Sequence, residues 1–241
     1  MSIYHVNSDL GVLNYWKVIK MRTLVFSDLH GQYGLWKQIE RFIQPDDKVY
    51  CLGDCADRGP DGWKIIKEVL NTPNITYIRG NHEQFIIDED YSLWRYNGGD
   101  PTISASDLDT DKNWDIVRRK LMDTPLIVNY TNDKGIDIAL CHAGFDPKII
   151  QYQDDYDLIW DRRHLERSWP EGWDNLIVIH GHTPIPYILD YVGIDEKPPK
   201  ENRAYWYCDW HKCCIDMLSF QTKKAIVLDL NTFEEYLFEE K

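Results

Sequence analysis

The sequence predicts an α/β fold: a four-layer αββα sandwich in which two mixed sheets pack face to face with helices outside. Three observations predict it. Short, near-continuous apolar runs alternate with helix-period segments through the first half. Further strand-like runs follow in the second half, enough for a second sheet. Five of these runs end in Asp, Asn or His, and in open α/β sheets functional groups collect at the carboxyl ends of strands.

The elements follow in order. A strand at "TLVFS" (23–27) leads to a helix with Leu35, Ile39, Phe42 and Ile43 on one face. A strand at "KVYCLG" (48–53) leads to "DGWKIIKEVL", with Trp63, Ile66 and Leu70 on one side. A strand at "ITYIRG" (75–80) leads to a third helix from about His82. Residues 97–113, "NGGDPTISASDLDTDKN", read as a polar loop, and "WDIVRRKLM" (114–122) as a helix. The second sheet draws on "IDIALCHAG" (136–144), "NLIVIHGHT" (175–183) and a C-terminal hairpin of "KCCIDMLSF" and "KAIVLDL". Residues 193–203, "GIDEKPPKENR", read as an exposed loop between sheet segments, not a linker.

These elements fit one domain over residues 21–241, preceded by an arm of unknown role at 1–20. The chain has 241 residues, ample for a core without staples. No apolar run approaches the roughly 18 residues of a membrane helix, and the first twenty residues lack the pattern of a signal peptide. The net charge of −13 disfavours nonspecific binding to nucleic acid. A cytoplasmic setting is therefore expected, with the six cysteines as free thiols and no stable membrane or nucleic-acid partner. Trp94, Trp160 and Trp173 read first as packing residues.

The chemistry lies at the strand ends. "SDLHG" carries Asp28 and His30, "GDCADRG" Asp54 and Asp57, "RGNHE" Asn81 and His82, "CHAG" His142, and "HGHTP" His180 and His182. Asp28 to Asp54 spans 26 residues and Asp54 to Asn81 spans 27, about one strand-helix unit each, so three strand ends can lie side by side. Carboxylate, amide oxygen and imidazole together are borderline donors that suit Mn, Fe or Zn. Two such ions sharing a carboxylate can hold a hydroxide and clamp a phosphoryl group. Alternation along "IVIHGH" leaves His180 either facing the site or in packing, so it is not assigned as a ligand.

"SDLHG", "GDCADRG", "RGNHE", "HAG" and "GHTP", in this order from about Thr23 to the C-terminal strands, resemble the calcineurin-like metallophosphoesterases. Within them, "GDxxDRG" followed by "RGNHE" is similar to the Ser/Thr phosphoprotein phosphatases. "NGG" (97–99) and "IWDR" (159–162) point to their bacterial and lambda-phage-type branch. The resemblance implies that Asp28 and His30 hold a first metal, that Asp54 bridges, and that Asn81, His142 and His182 hold a second. It implies His82 as general acid, Asp57 as its orienting partner, and Arg58, Arg79 and Arg162 as phosphoryl contacts. Manganese is the foremost expectation, with iron, zinc, nickel or magnesium also compatible.

The sequence departs from the pattern at three places, one of them the arm before Met21, which has no counterpart in it. Pro184 stands where many relatives have a second histidine, a loss the phosphoprotein phosphatase branch shares. "CIDMLSF" keeps Ile215 and Asp216 but loses the small residues that often follow, which bears on the local surface and on substrate choice.

The expected activity is a phosphomonoesterase that uses hydroxide between two metals for in-line attack on a phosphorylated protein. The alternatives are a symmetric dinucleoside tetraphosphatase, or a nucleotide or RNA-end phosphatase, on the same site. A more remote reading is a non-catalytic phosphoprotein-binding module. A small structural zinc site at Cys208, His211, Cys213 and Cys214 is a separate, weaker reading, because its spacing is irregular.

Overall fold

Two five-stranded sheets organise the computed structural model, which describes residues 21–193 and 196–240. The arm at 1–20 lies outside the described residues. In the first sheet β1 (Thr23–Phe26), β2 (Lys48–Cys51) and β3 (Ile75–Tyr77) run parallel, with Thr23 opposite Lys48 and Val49 opposite Ile75. β9 (Lys224–Asp229) pairs antiparallel with β1, and β10 (Glu235–Glu239) with β9. The second sheet has a parallel centre of β5 (Asp137–Cys141), β6 (Leu176–His180) and β8 (Lys212–Cys214). β4 (Ile127–Thr131) and β7 (Tyr205–Tyr207) pair antiparallel at its edges.

Alternation along the strands builds the layers. Leu24 and Phe26 point into one apolar cluster, while Val25 points into another. The first cluster joins the sheet to α1 (Tyr33–Phe42), α2 (Gly62–Val69), α3 (Asn81–Asp88), α4 (Tyr91–Tyr96), α5 (Asp100–Asp107) and α6 (Asp111–Met122). The second lies between the sheets, where Val25, Tyr50, Ile226 and Leu228 meet Ile138, Leu140, Ile179 and Cys213. A third covers the outer face of the second sheet, where Ala139, Cys141 and Val178 meet Leu158 of α7 (Asp155–Trp160). This is the four-layer sandwich that the sequence predicts. No helix among the described residues is long and apolar enough to cross a membrane.

Two local expectations are corrected. Residues 97–113 are not one loop, because they contain α5. Pro101 sits in its first turn, where a missing N–H costs nothing, and Thr102, Ile103 and Ser106 are buried along it. The polar composition hid a short buried face. The C-terminal "hairpin" is also not one: β8 belongs to the second sheet and β9 to the first. The true hairpin is β9–β10, and the 215–223 connection crosses from one sheet to the other through α8 (Ser219–Thr222).

Candidate metal centre

The parallel strands of both sheets deliver their carboxyl ends to one place. Asp28 and His30 follow β1, Asp54 to Arg58 follow β2, and Asn81 and His82 follow β3. His142 follows β5, His182 follows β6 and Asp216 follows β8. The turns that present them are bent hard. Asp28, His30, Asp54, Asp57, Arg58 and His182 all have φ between 42° and 66°, the left-handed region that L side chains avoid. Each such residue costs on the order of 1 kcal/mol and persists where its surroundings over-determine it.

Glu83 supplies much of that restraint around Asp54. Its buried carboxylate accepts the backbone N–H groups of Asp54 (2.7 Å), Cys55 (3.0 Å), Ala56 (3.1 Å) and Gly80 (3.0 Å). One side chain at the start of α3 thus pins the loop after β2 to the loop after β3. Two glycines allow close approach: a Cβ on Gly80 would lie 2.1 Å from Asp54 Oδ1, and one on Gly181 would lie 2.0 Å from Asp28 Oδ2.

Two groups of buried donors have ligand atoms within 4.8 Å of one another: His30, Asp54 and His82, and Asp54, His142 and His182. Asp54 belongs to both. Asn81 joins the second group through its Oδ1, which lies 3.1 Å from His142 Nε2 and 2.8 Å from His182 Nδ1. The far nitrogens of two rings are tied to backbone, His30 Nδ1 to Ala56 O (2.9 Å) and His142 Nδ1 to Leu52 O (2.7 Å), which leaves each Nε2 facing the centre. Asp28 stands beside these groups without completing one. Its carboxylate accepts the Ser27 hydroxyl and the His182 backbone N–H.

The electrostatics suit a site for cations. Burial, then the Asp216 charge, holds the Asp28 carboxyl well above the usual carboxylate range. Burial would raise Asp54 too, but the neighbouring His142 and His82 imidazoles hold it well below. His142 is lifted to about 10: burial opposes its charge, and Asp54 overcomes burial. Burial, then Arg58, keeps His30 well below its usual value, and burial, then His142, does the same for His182. Buried carboxylates, an amide oxygen and imidazoles in this mixture suit divalent transition metals.

The remaining predicted residues divide. His82 Nδ1 lies 2.6 Å from Asp57 Oδ2. Arg58 donates to His30 Nε2 (2.8 Å) and lies 3.1 Å from His82 Nε2. Arg162 reaches Thr183 Oγ1 (3.1 Å) next to His182. Arg79 bonds to Gln84 Oε1 (2.9 Å), the Thr124 carbonyl (3.2 Å) and Asp155 (3.3 Å). His180 stands apart, with Nε2 2.8 Å from the Tyr207 hydroxyl. Cys208, His211, Cys213 and Cys214 do not gather. Cys208 Sγ faces the Arg167 carbonyl, His211 stacks on Trp169, and Cys213 and Cys214 lie in the inter-sheet core.

A family model described as calcineurin-like phosphoesterase matches residues 21–213. The chain belongs to that family. This makes it a metallophosphoesterase and a hydrolase whose activity rests on divalent metal ions. Among its relatives, serine/threonine-protein phosphatase 1 of Salmonella typhimurium is 29% identical over 184 residues, 70% of this chain and 82% of that one. The symmetrical bis(5'-nucleosyl)-tetraphosphatase of Cellvibrio japonicus is 24% identical over 191 residues, 71% of this chain and 66% of that one. A serine/threonine phosphatase structure from Saccharomyces cerevisiae superposes with a TM-score of 0.58 at 13% identity, covering 92% of this chain and 80% of that one, which is a likeness of fold.

Sequence reasoning missed two residues of this metallophosphoesterase centre. Glu83 reads from sequence as an ordinary first-turn acid, although its place three residues after Gly80 is a capping-box position. Trp94 reads as packing, yet its buried indole N–H donates to Asp57 Oδ1 (2.9 Å) and Oδ2 (2.8 Å). Nothing in the local sequence signals that long-range bond.

Proposed function

We propose that this metallophosphoesterase is a dinuclear phosphomonoesterase acting on phosphorylated Ser or Thr side chains. Asp28, His30 and Asp54 would hold one ion, and Asp54, Asn81, His142 and His182 the other, with manganese the metal of choice. When bound, the ions supply Lewis acidity to the phosphoryl oxygens and acidify water. The chain's own groups do the rest. Arg58 and Arg162 present planar guanidinium donors to phosphoryl oxygens, whose charge grows as the ester bond breaks. Asp57 accepts the Nδ1 proton of His82 and so directs Nε2 toward the departing alkoxide, which takes its proton there.

The carrying observation is the His82–Asp57 pair at 2.6 Å, with His82 itself in one of two buried donor groups that share Asp54. Similarity to serine/threonine-protein phosphatase 1 over 82% of its length supports a phosphoprotein substrate. The second reading, a symmetric dinucleoside tetraphosphatase, rests on the Cellvibrio japonicus relative. Turnover of a phosphothreonine peptide and of diadenosine tetraphosphate, each with Mn²⁺-loaded protein, separates the two. Faster hydrolysis of the nucleotide would reverse the assignment. Absence of hydrolysis of both, and of an aryl phosphate, would remove the phosphomonoesterase reading.

A further inference from the structure

The 215–223 crossover, where the sequence loses its relatives' small residues, packs an aromatic ring onto the proposed site. Phe220 lies on α8 with its ring centroid 5.0 Å from the Arg58 guanidinium carbon. The same ring meets the His30 imidazole edge-on at 5.9 Å. The segment that carries it is held by two bonds within itself and one to Gln32. Asp216, buried, accepts the Leu218 backbone N–H at 2.8 Å. The Thr222 hydroxyl donates to the Met217 carbonyl at 2.8 Å. Lys223 donates to Gln32 Oε1, while Gln32 Nε2 donates to the His30 carbonyl at 2.9 Å. Leu218 and Lys223, at φ 58° and 57°, bracket the helix in left-handed conformations, and non-glycine residues hold those only under such restraint.

We infer that Phe220 is a positioning residue for Arg58: its ring holds the guanidinium over the His30–His82 side of the proposed site, from which its amino groups can reach a bound phosphoryl group. This rests on the phosphoesterase reading and extends it. A cation over an aromatic face is attracted by the ring quadrupole, and the attraction grows as water is excluded. Phe220 is half-buried, and the Arg58 amino groups lie 2.8 Å from His30 Nε2 and 3.1 Å from His82 Nε2. Arg162 has a matching arrangement, with its guanidinium carbon 5.5 Å from the centroid of Tyr191. Both site arginines are therefore backed by a ring. A flexible Arg58 would pay rotamer entropy on each binding event, which Phe220 spares.

The test compares Phe220→Leu, Phe220→Ala and Phe220→Tyr in Mn²⁺-loaded protein, alone and in an Arg58→Ala background. Phe220→Leu and Phe220→Ala are expected to raise KM for an aryl phosphate roughly 2–5-fold, the range of an exposed cation–π contact, with a smaller change in kcat. Inhibition by inorganic phosphate, and its stabilisation of the protein in thermal melts, should weaken by the same factor. Phe220→Tyr should restore all three. In the Arg58→Ala background, removing Phe220 should change none of them. An unchanged KM and phosphate affinity in a folded Phe220→Leu protein would overturn the inference. So would an equal loss in the Arg58→Ala background. If the wild type hydrolyses no phosphoester yet binds phosphate and loses that affinity in Phe220→Leu, the activity reading fails while the positioning role stands.

Discussion

His82 Nδ1 sits 2.6 Å from Asp57 Oδ2, and both oxygens of that carboxylate also accept the Trp94 indole N–H. The pair is buried, with His82 and Asp57 both at 0% exposure, so the carboxylate cannot exchange its partners for water. His82→Asn should lower kcat on an alkyl phosphoester by about 10²–10⁴, the usual range for a general acid. The loss should be much smaller for a nitrophenyl ester, whose leaving group needs no proton. Asp57→Asn should follow the same pattern at reduced size, and Trp94→Phe should be milder still. Equal losses on both esters would mean that His82 does not donate the proton.

Glu83 holds four backbone N–H groups, three of them in the Asp54 loop. Glu83→Ala would leave these donors buried and unpaired. At about 1–3 kcal/mol for each buried unsatisfied group, a loss of roughly 3 kcal/mol or more is expected after water enters the cavity. Urea denaturation of metal-free protein measures it. Glu83→Gln keeps an acceptor oxygen and should lose less. Metal affinity should fall in both, because Asp54 no longer has a fixed backbone.

Much of this centre was legible in the sequence, for a physical reason. Ligands at the ends of parallel strands recur at the length of a strand-helix unit, so Asp28, Asp54 and Asn81 could be aligned by counting. The roles of Asp57, His82 and Arg79 could be named only through a family resemblance. Arg79 directly precedes Gly80, and its guanidinium bonds to Gln84, Thr124 and Asp155. What stayed hidden was long-range and aperiodic. Trp94 reaches Asp57 across 37 residues, and Phe220 reaches Arg58 from a strand crossover mistaken for a hairpin. Polar α5 was missed because its buried face is made of Thr102, Ile103 and Ser106, which carry little hydrophobic period.

Asp54 is common to both donor groups. Its removal should therefore damage two sites at once. Wild-type protein equilibrated with Mn²⁺ and desalted should retain about two ions per chain by elemental analysis, as a dinuclear site requires. Asp54→Asn should retain fewer than one, with hydrolysis falling in parallel. His142→Asn should selectively lose one ion and keep the other. Full metal retention in Asp54→Asn would mean that Asp54 does not bridge.

Two imidazoles behind the centre should make folding pH-dependent. His164 and His180 are buried at 1% and 0% exposure, their rings 5.2 Å apart edge to face. Burial, then the neighbouring His180, holds His164 well below the usual histidine value, and burial lowers His180 to about 4. Lys212, whose ammonium is bonded to the His164 and Arg167 carbonyls, adds a nearby positive charge that also disfavours protonating either ring. In the unfolded chain both titrate near 6.5. Below about 6.5 these two rings therefore bind fewer protons in the folded chain than in the unfolded one, so their contribution to stability falls as the pH falls, with the His180 share levelling off below about 4. The slope is at most about 1.4 kcal/mol per pH unit for each group. Urea denaturation in EDTA at several pH values from 7.5 down to 4.5 reads it without interference from metal binding. Subtracting the curve of His180→Phe should remove up to one group's share of the slope. A variant with the wild-type slope would mean that His180 is already protonated in the fold.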